Sequence, residues 1–171
     1  MEPGREADSR YMELAMEEAE IAYTENEVPI GCVFIKDGKV IAKGHNYTNA
    51  SGNATLHAEM VAIAEALRSN GNDVSLFRES TLYVTIEPCI MCASALAQVG
   101  IQRAVFGASN DRFGGCGSVL CLQEGAYEVT RGVFLERSIE LLQRFYNREN
   151  EHAPDNKRRK KNKELLVSEK E

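Results

Sequence analysis

Short apolar strands and apolar helices alternate along the middle of the chain, and this alternation constrains the fold more than any other feature. Two predicted strands, Ile30–Ile35 and Val40–His45, meet at Asp37-Gly38, a dipeptide typical of a two-residue hairpin. After them come a helix, the strand Thr81–Thr85, a second helix and the strand Arg103–Gly107. Parallel strands need helical crossovers, whereas a hairpin is antiparallel. The order therefore predicts an α/β protein, with one mixed sheet between helical layers in an α/β/α arrangement.

The two ends of the chain complete this arrangement. Tyr11–Tyr23 has the apolar spacing of an amphipathic first helix, Tyr127–Arg131 predicts a fifth strand, and Glu136–Arg148 predicts a last helix. We expect residues 1–9 to be disordered, residues 10–150 to form one domain, and residues 151–171 to form a flexible basic tail. A length of 171 residues suits one domain.

Composition excludes several classes of protein. The first ten residues are polar and predict no signal peptide, and no apolar run approaches the roughly 20 residues of a membrane-spanning helix. Without an export signal, the five cysteines are expected as reduced thiols, so a close pair indicates metal or redox chemistry rather than a disulfide framework. We expect no membrane association.

The charge of the chain is strongly uneven. The net charge is −6, but residues 1–156 hold 13 Lys and Arg against 23 Asp and Glu, a balance of −10. Six positive charges then lie within seven residues: Lys157, Arg158, Arg159, Lys160, Lys161 and Lys163. Such a run is a solvated charge cluster, a nuclear localisation signal or a contact for a polyanion.

A helix predicted from the stretch NATLHAEMVAIAEAL carries an unusual pair of polar residues. His57 and Glu59 stand at its front, and most of the other positions are apolar, so the helix should be buried. A buried carboxylate is costly unless it is paired, protonated or used in chemistry. Residues two apart do not share a face of a regular helix, so His57 and Glu59 can converge only in the first turn.

The next predicted helix opens with the sequence EPCIMC. We expect Pro88 at its first position, and Cys89 and Cys92 on one face of its first turn, where the helix dipole favours thiolates. Two thiolates and an imidazole are a preferred ligand set for zinc, and three protein ligands leave a fourth position for water. His57 is the expected third ligand, and Glu59 stays unliganded.

The joint pattern is His57-x-Glu59, then 28 residues, then Pro88-Cys89-x-x-Cys92, followed by the loop DRFGGCGS. With it, the sequence resembles the zinc-dependent nucleobase deaminases of the cytidine-deaminase-like superfamily over about residues 10–148. In detail it is similar to the catalytic subunits of eukaryotic tRNA adenosine deaminases.

That resemblance implies one zinc ion per chain, a cytidine-deaminase-like fold and hydrolysis of wobble adenosine to inosine in tRNA. It implies that Glu59 moves the protons and that Asn46 hydrogen-bonds the substrate. It also implies a paralogous, non-catalytic partner subunit, and contact between tRNA and the basic tail. We expect the protein in the nucleus and the cytoplasm.

Several alternatives stay open. The chain could deaminate a free base or nucleotide, such as guanine or deoxycytidylate, or it could be a non-catalytic RNA-binding module with structural zinc. Cys116 and Cys121 could hold a second metal, although structural thiols are favoured because no further ligands lie nearby in the sequence. His45 is expected to be structural, and Phe113 either stacks on a base or packs in the interior.

Overall fold

The computed structural model of the protein describes residues 3–148. The helices and strands follow in the order α1 (Pro3–Thr24), β1 (Gly31–Lys36), β2 (Lys39–His45), α2 (Thr48–Ser51), α3 (Ala58–Ser69), β3 (Thr81–Ile86), α4 (Ile90–Val99), β4 (Arg103–Ala108), β5 (Glu128–Arg131) and α5 (Leu135–Asn147), with a 3₁₀ turn at Val74–Phe77. Within these described residues, no helix has the length and apolar character needed to cross a membrane.

The five strands form one mixed sheet in the order β2-β1-β3-β4-β5. Strand β1 is antiparallel to both of its neighbours, while β3, β4 and β5 run parallel. Strand β2 therefore runs in the same direction as β3 and β4, so the carboxyl ends of these three strands lie at one edge of the sheet. In open α/β sheets this edge is where functional sites are built. Thr81–Thr85 is short and rich in β-branched and aromatic residues, which predicts a central strand, and β3 is indeed the central strand of the sheet.

Alternate strand residues face two different helical layers, as the period of a strand requires. On one face, a core that includes Phe34, Leu82 and Phe106 packs against α3 and α4. On the other face, Val33 and Val105 belong to a core that packs against α1. Helix α5 packs on β4 and touches α1, which places α1 and α5 in the same layer. The predicted three-layer α/β/α arrangement is confirmed.

Helix α1 begins at Pro3, where the sequence predicted disorder through residue 9, so that expectation is wrong for residues 3–9. Asp8 explains the difference. Its side chain is buried and forms a bidentate ion pair with Arg103, at 2.6 and 3.0 Å, and it accepts a hydrogen bond from the Tyr83 hydroxyl at 2.8 Å. These long-range contacts tie the first two turns of α1 to the sheet, and those turns have no apolar periodicity that would predict a helix.

Three local details complete the comparison between sequence and structure. Asp37 and Gly38 both have positive φ, as the predicted hairpin turn requires. The expected loop after β2 contains the short helix α2. The prediction that Pro88 occupies the first position of α4 is wrong. Cys89 is the N-cap of that helix, so Pro88 lies one residue before the cap. The basic tail, residues 151–171, lies outside the described residues.

Candidate metal centre

Helix α3 begins immediately after His57, and this placement resolves the geometric difficulty posed by the sequence. His57 is the N-cap residue, with extended dihedral angles (φ −71°, ψ 159°), so its side chain does not follow the helical spacing. Its carbonyl accepts the first helical hydrogen bond, from the Val61 amide at 2.9 Å. Glu59 lies inside the first turn and is 3% exposed. The histidine and the carboxylate therefore converge at the start of one helix.

Helix α4 begins in the same way. Cys89 is its N-cap, also extended (φ −67°, ψ 168°), and its carbonyl accepts a hydrogen bond from the Ala93 amide at 2.8 Å. Cys92 lies in the first turn and is fully buried. The positive ends of two helix dipoles, those of α3 and α4, thus flank the two sulfurs and favour thiolates there.

The two helix starts bring three metal-ligating side chains together. Nδ1 of His57 lies 3.5 Å from the sulfur of Cys89 and 3.6 Å from the sulfur of Cys92. All three donor atoms lie within 4.8 Å of one another. An imidazole nitrogen and a thiolate on one tetrahedral zinc, at ~2.0 and ~2.3 Å from the metal, lie roughly 3.5–3.6 Å apart. Both the donor set and its spacing fit a single zinc ion.

Without a metal, hydrogen bonds among the three donors set their charge states. A hydrogen bond with Cys92, supported by one with His57, lowers the pKa of Cys89 to about 4. The hydrogen bond with Cys89 raises the pKa of His57. Cys92 is the protonated partner of the sulfur pair, and its pKa is raised by the bond with Cys89 and by burial. A metal binds neutral imidazole and thiolates, so its binding here would displace the protons held by Cys92 and by the His57 imidazolium.

Glu59 stands beside the three donors without belonging to the group. Burial raises the pKa of its carboxyl above the ordinary value, and the neighbouring Cys89 sulfur raises it further. A buried acid next to such a donor set is suited to holding and releasing a proton.

Asn46 follows strand β2 at the same edge of the sheet and is 5% exposed. Its side-chain oxygen accepts a hydrogen bond from the amide of Ala58, the first residue of α3, at 2.9 Å. Among the described residues, its side-chain nitrogen donates no hydrogen bond, which leaves that donor available to a ligand.

His45 is a structural residue, as expected from the sequence. Its two ring nitrogens face Glu18 at 3.1 Å and Glu25 at 3.2 Å, so that both nitrogens are engaged by carboxylates of α1 and the turn that follows it.

The sequence interpretation missed two buried carboxylates, Glu27 and Glu87. Glu27 accepts hydrogen bonds from the amides of Asn49 and Ala50, at 3.1 and 2.8 Å, and so holds the segment that follows Asn46. Glu87 does the same for the glycine-rich loop after β4. Burial alone would raise the pKa of Glu87, but backbone and side-chain hydrogen bonds, led by that from the Asn110 amide, hold it below its usual value. An acidic residue directly after a buried strand was the available signal for Glu87.

The other residues considered from the sequence, Phe113, Cys116 and Cys121, differ in their exposure to solvent. Phe113 is 58% exposed, which excludes the interior packing role. Cys116 is buried and its sulfur lies 3.4 Å from the Tyr127 hydroxyl, whereas Cys121 is exposed. Across residues 3–148, the one group of three or more donors suited to a metal is that of His57, Cys89 and Cys92. The structure therefore offers no second metal group involving Cys116 or Cys121 in that range.

Comparison with known proteins agrees with this geometry. Residues 5–108 match the model of the cytidine and deoxycytidylate deaminase zinc-binding region. The chain belongs to this family. It is therefore a hydrolytic deaminase, and zinc is the metal that the donor group of His57, Cys89 and Cys92 fits.

Individual relatives show which members of the family the chain is similar to. The chain is 42% identical to tRNA-specific adenosine deaminase 2 of Xenopus tropicalis, over 88% of this chain and 95% of the relative. It is 45% identical to the tRNA-specific adenosine deaminase subunit tad2 of Schizosaccharomyces pombe, over 84% of this chain but only 38% of that longer relative. A solved structure from a study of A-to-I editing by tRNA:A34 deaminases at the wobble position superposes with a TM-score of 0.70 at 35% identity, covering 77% of this chain and 98% of that chain. A guanine deaminase from Nitrosomonas europaea, at 21% identity and a TM-score of 0.70, shares the fold.

Proposed function

We propose that this protein deaminates adenosine to inosine at the wobble position of tRNA anticodons. The observation that carries the proposal is the triangle of His57, Cys89 and Cys92 beside the buried carboxylate of Glu59. The names of the similar proteins, which are tRNA-specific adenosine deaminases, support the choice of substrate.

The chemistry requires water to replace an amine at a ring carbon. Zinc held by His57, Cys89 and Cys92 would lower the pKa of water at the site from about 16 towards 7–9. Glu59 then acts as the proton carrier. Its carboxylate takes one proton from the attacking water and passes it to the ring nitrogen next to C6. It then takes the second proton from the hydroxyl group now on C6 and gives it to the amine, which leaves as ammonia when the C6–N bond breaks. The products are inosine and ammonia.

Asn46 is proposed to orient the substrate. Its side-chain oxygen is fixed by the Ala58 amide at the start of α3, which points the opposite end of the carboxamide away from the helix. The side-chain nitrogen then donates a hydrogen bond to the nucleotide. Because Glu27 holds the segment after Asn46 through two backbone amides, the position of this donor is set before the substrate arrives.

The basic tail is proposed to bind the tRNA backbone. Lys157, Arg158, Arg159, Lys160, Lys161 and Lys163 supply positive charge to a chain whose first 156 residues are acidic. Cationic side chains contribute most of the sequence-independent affinity for nucleic acid. The same run is proposed to serve nuclear import, giving a protein present in the nucleus and the cytoplasm. Fluorescence microscopy of the full chain and of a chain truncated before Lys157 tests the second role.

A paralogous, non-catalytic subunit is proposed as the protein partner. The relative from Schizosaccharomyces pombe carries the word subunit in its name. Beside the metal centre, an apolar groove between α3 and α4 is lined by Met60, Ile63, Met91, Ala95 and Val99. Ile90, at the start of α4, is 37% exposed. A partner bound to this surface would cover the groove and lie next to the N-termini of α3 and α4.

Inosine detection in tRNA tests the proposal directly. Intact tRNA is incubated with the chain alone and with the chain co-expressed with a paralogous subunit, and inosine is measured by sequencing or mass spectrometry of nucleosides. We expect inosine at the wobble position in the co-expressed sample. Free adenosine, guanine and deoxycytidylate are assayed in parallel. Turnover of a free base or nucleotide with none on tRNA would favour the rival deaminase, and no turnover at all would favour a non-catalytic module.

A further inference from the structure

Glu87 connects strand β3 to the glycine-rich loop of residues 110–118. One carboxylate oxygen accepts hydrogen bonds from the amides of Cys116 and Ser118, at 3.0 and 3.1 Å. The other accepts from the Asn110 amide, at 2.9 Å, and from the Ser118 hydroxyl. Glu87 is 2% exposed, and its four donors all come from this loop. A buried carboxylate with several backbone donors is a strong and directional anchor.

The loop held by Glu87 lies directly on the segment that carries Cys89. The Ile90 amide donates to the Phe113 carbonyl at 2.8 Å, and the Gly115 amide donates to the Pro88 carbonyl at 2.9 Å. Close approach explains two of the glycines in the loop. A Cβ at Gly114 would lie 2.6 Å from the Glu87 carboxylate, and one at Gly115 would lie 3.1 Å from the Cys89 carbonyl oxygen.

The outward-facing side of the same loop displays an aromatic ring and a cation. Phe113 is 58% exposed although its own backbone is fixed to Ile90. The Arg112 guanidinium lies 5.7 Å from the centre of the Phe113 ring. An exposed ring on a fixed backbone, with an adjacent cation, is the combination by which proteins stack and hold unpaired bases.

From these contacts we infer that Glu87 is a positioning residue, which holds the 110–118 loop so that Phe113 stacks on a nucleotide next to the reacting base. Glu87 touches neither the substrate nor the metal donors in this scheme. Its effect on catalysis passes through the loop to Phe113. The inference rests on the proposed function, because it takes an unpaired stretch of RNA as the substrate.

A double-mutant cycle with Glu87→Gln and Phe113→Ala tests the inference. Glutamine keeps the size of the side chain but replaces one acceptor oxygen by a nitrogen that the loop donors oppose. Base stacking on an aromatic residue predicts that Phe113→Ala raises KM for tRNA on the order of tenfold. We expect Glu87→Gln to raise KM by a comparable factor with kcat little changed. In the Phe113→Ala background, Glu87→Gln should change KM by less than about twofold, because the ring through which it acts is gone.

Hydrogen exchange supplies a readout that needs no substrate. In Glu87→Gln, the amides of Asn110, Cys116 and Ser118 should exchange faster than in the wild type, while zinc content stays at one per chain. Glu124→Gln is the matched control, because Glu124 is exposed and the substitution makes the same change of charge. That control should leave KM and the exchange of the loop unchanged.

Three results would overturn the inference: equal factors for Glu87→Gln in both backgrounds, loss of zinc in Glu87→Gln, or unchanged loop exchange. A wild-type chain that forms no inosine on tRNA would instead refute the proposed function. In that case, exchange of the loop amides would still decide whether Glu87 holds the loop.

Discussion

Nδ1 of His57 lies 3.5 Å from the sulfur of Cys89, although the two residues are 32 positions apart and cap different helices. Both are N-cap residues with extended backbones, so each side chain projects beyond the end of its helix. The sheet explains why the two ends meet, because β2 and β3 finish at the same edge and lead into α3 and α4. The order of the strands in the sheet therefore brings the metal-ligating residues together.

Glu59→Gln should lower the rate of inosine formation by roughly 10²–10⁴-fold, the usual contribution of a positioned acid–base group. Glutamine occupies nearly the same volume but cannot carry the proton. Zinc content should stay at one per chain, since Glu59 lies outside the three-donor group. Glu65→Gln, an exposed change on the same helix, should leave the rate unchanged. An active Glu59→Gln variant would show that another group moves the proton.

Cys92→Ala should remove most of the bound zinc. The substitution deletes one of three donors and leaves two, which are too few to compete with chelators in the buffer. Elemental analysis after dialysis against a chelator measures the loss. Cys121→Ala is the matched control, because Cys121 is exposed and lies outside the donor group. Full zinc occupancy in Cys92→Ala would exclude this sulfur as a ligand.

Gly44→Ala should destabilise the protein through the contact between β2 and α3. A Cβ at this position would lie 2.7 Å from the Ala58 carbonyl oxygen and 2.9 Å from the Ala62 amide nitrogen, both backbone atoms of α3. Overpacking of this kind lowers the free energy of unfolding by about 1–3 kcal/mol. Urea denaturation measures the change.

Gly125→Ala provides the comparison for Gly44→Ala. Gly125 has a positive φ of 73°, and a Cβ there would meet nothing within 4 Å. Only the backbone preference is lost, at about 1–2 kcal/mol. A Gly44→Ala variant with an unchanged free energy of unfolding and an unchanged structure around α3 would show that the close contact at Gly44 does not matter.

The stability of the protein should depend on the ionisation of Glu18. Burial alone would raise the pKa of this carboxyl, but hydrogen bonds from Lys43, at 2.7 Å, and His45, at 3.1 Å, outweigh burial and lower it. A lowered pKa in the folded state means that the stabilising contribution is complete above the unfolded pKa, about 4.3. It is lost as the pH falls through the folded value.

Glu18→Gln tests this dependence. At pH 6 the variant should have a free energy of unfolding about 1.5–3 kcal/mol lower than the wild type, the range for hydrogen bonds to a charged group. At pH 3 the difference should shrink, because the wild-type carboxyl is then becoming protonated. Glu17→Gln, an exposed change on the same helix, should show little effect at either pH. A difference that is constant between pH 6 and pH 3 would contradict the assignment.

Deletion of Lys157–Lys163 should weaken tRNA binding and reduce its dependence on salt. Each neutralised phosphate contributes about 0.7–0.9 to the slope of log affinity against log salt, so six contacts predict a slope near −4 to −5. Filter binding across a range of salt concentrations measures that slope, and zinc content serves as the control for an intact core. Unchanged affinity and slope after the deletion would exclude the RNA role of the tail.

The sequence was sufficient for the parts of this structure that depend on local pattern. Strands and helices were readable from apolar spacing, and the hairpin from Asp37-Gly38. The donor set was readable because two thiols and an imidazole have few other uses at helix starts. The central position of β3 was predicted from its short run of β-branched and aromatic residues, Thr81–Thr85.

The parts that escaped prediction depend on contacts between distant residues. Residues 3–9 are helical, and Asp8 within them pairs with Arg103, a partner 95 positions away. Glu87 anchors a loop through donors that lie 23 to 31 positions further along the chain, and the sequence does not show that these donors surround it. An acidic residue in an apolar stretch predicts a buried carboxylate with hydrogen-bond partners, but the sequence does not identify which backbone amides donate those hydrogen bonds.

X-ray absorption at the zinc edge tests the central claim most directly, because it reports the atoms bound to the ion. For the zinc-loaded protein we predict two sulfur ligands at about 2.3 Å and two lighter ligands at about 2.0–2.1 Å, from His57 and from one non-protein position. The Cys92→Ala variant, if it retains any zinc, should show one sulfur. A wild-type spectrum with three or four sulfurs, or with none, would contradict a site built from His57, Cys89 and Cys92.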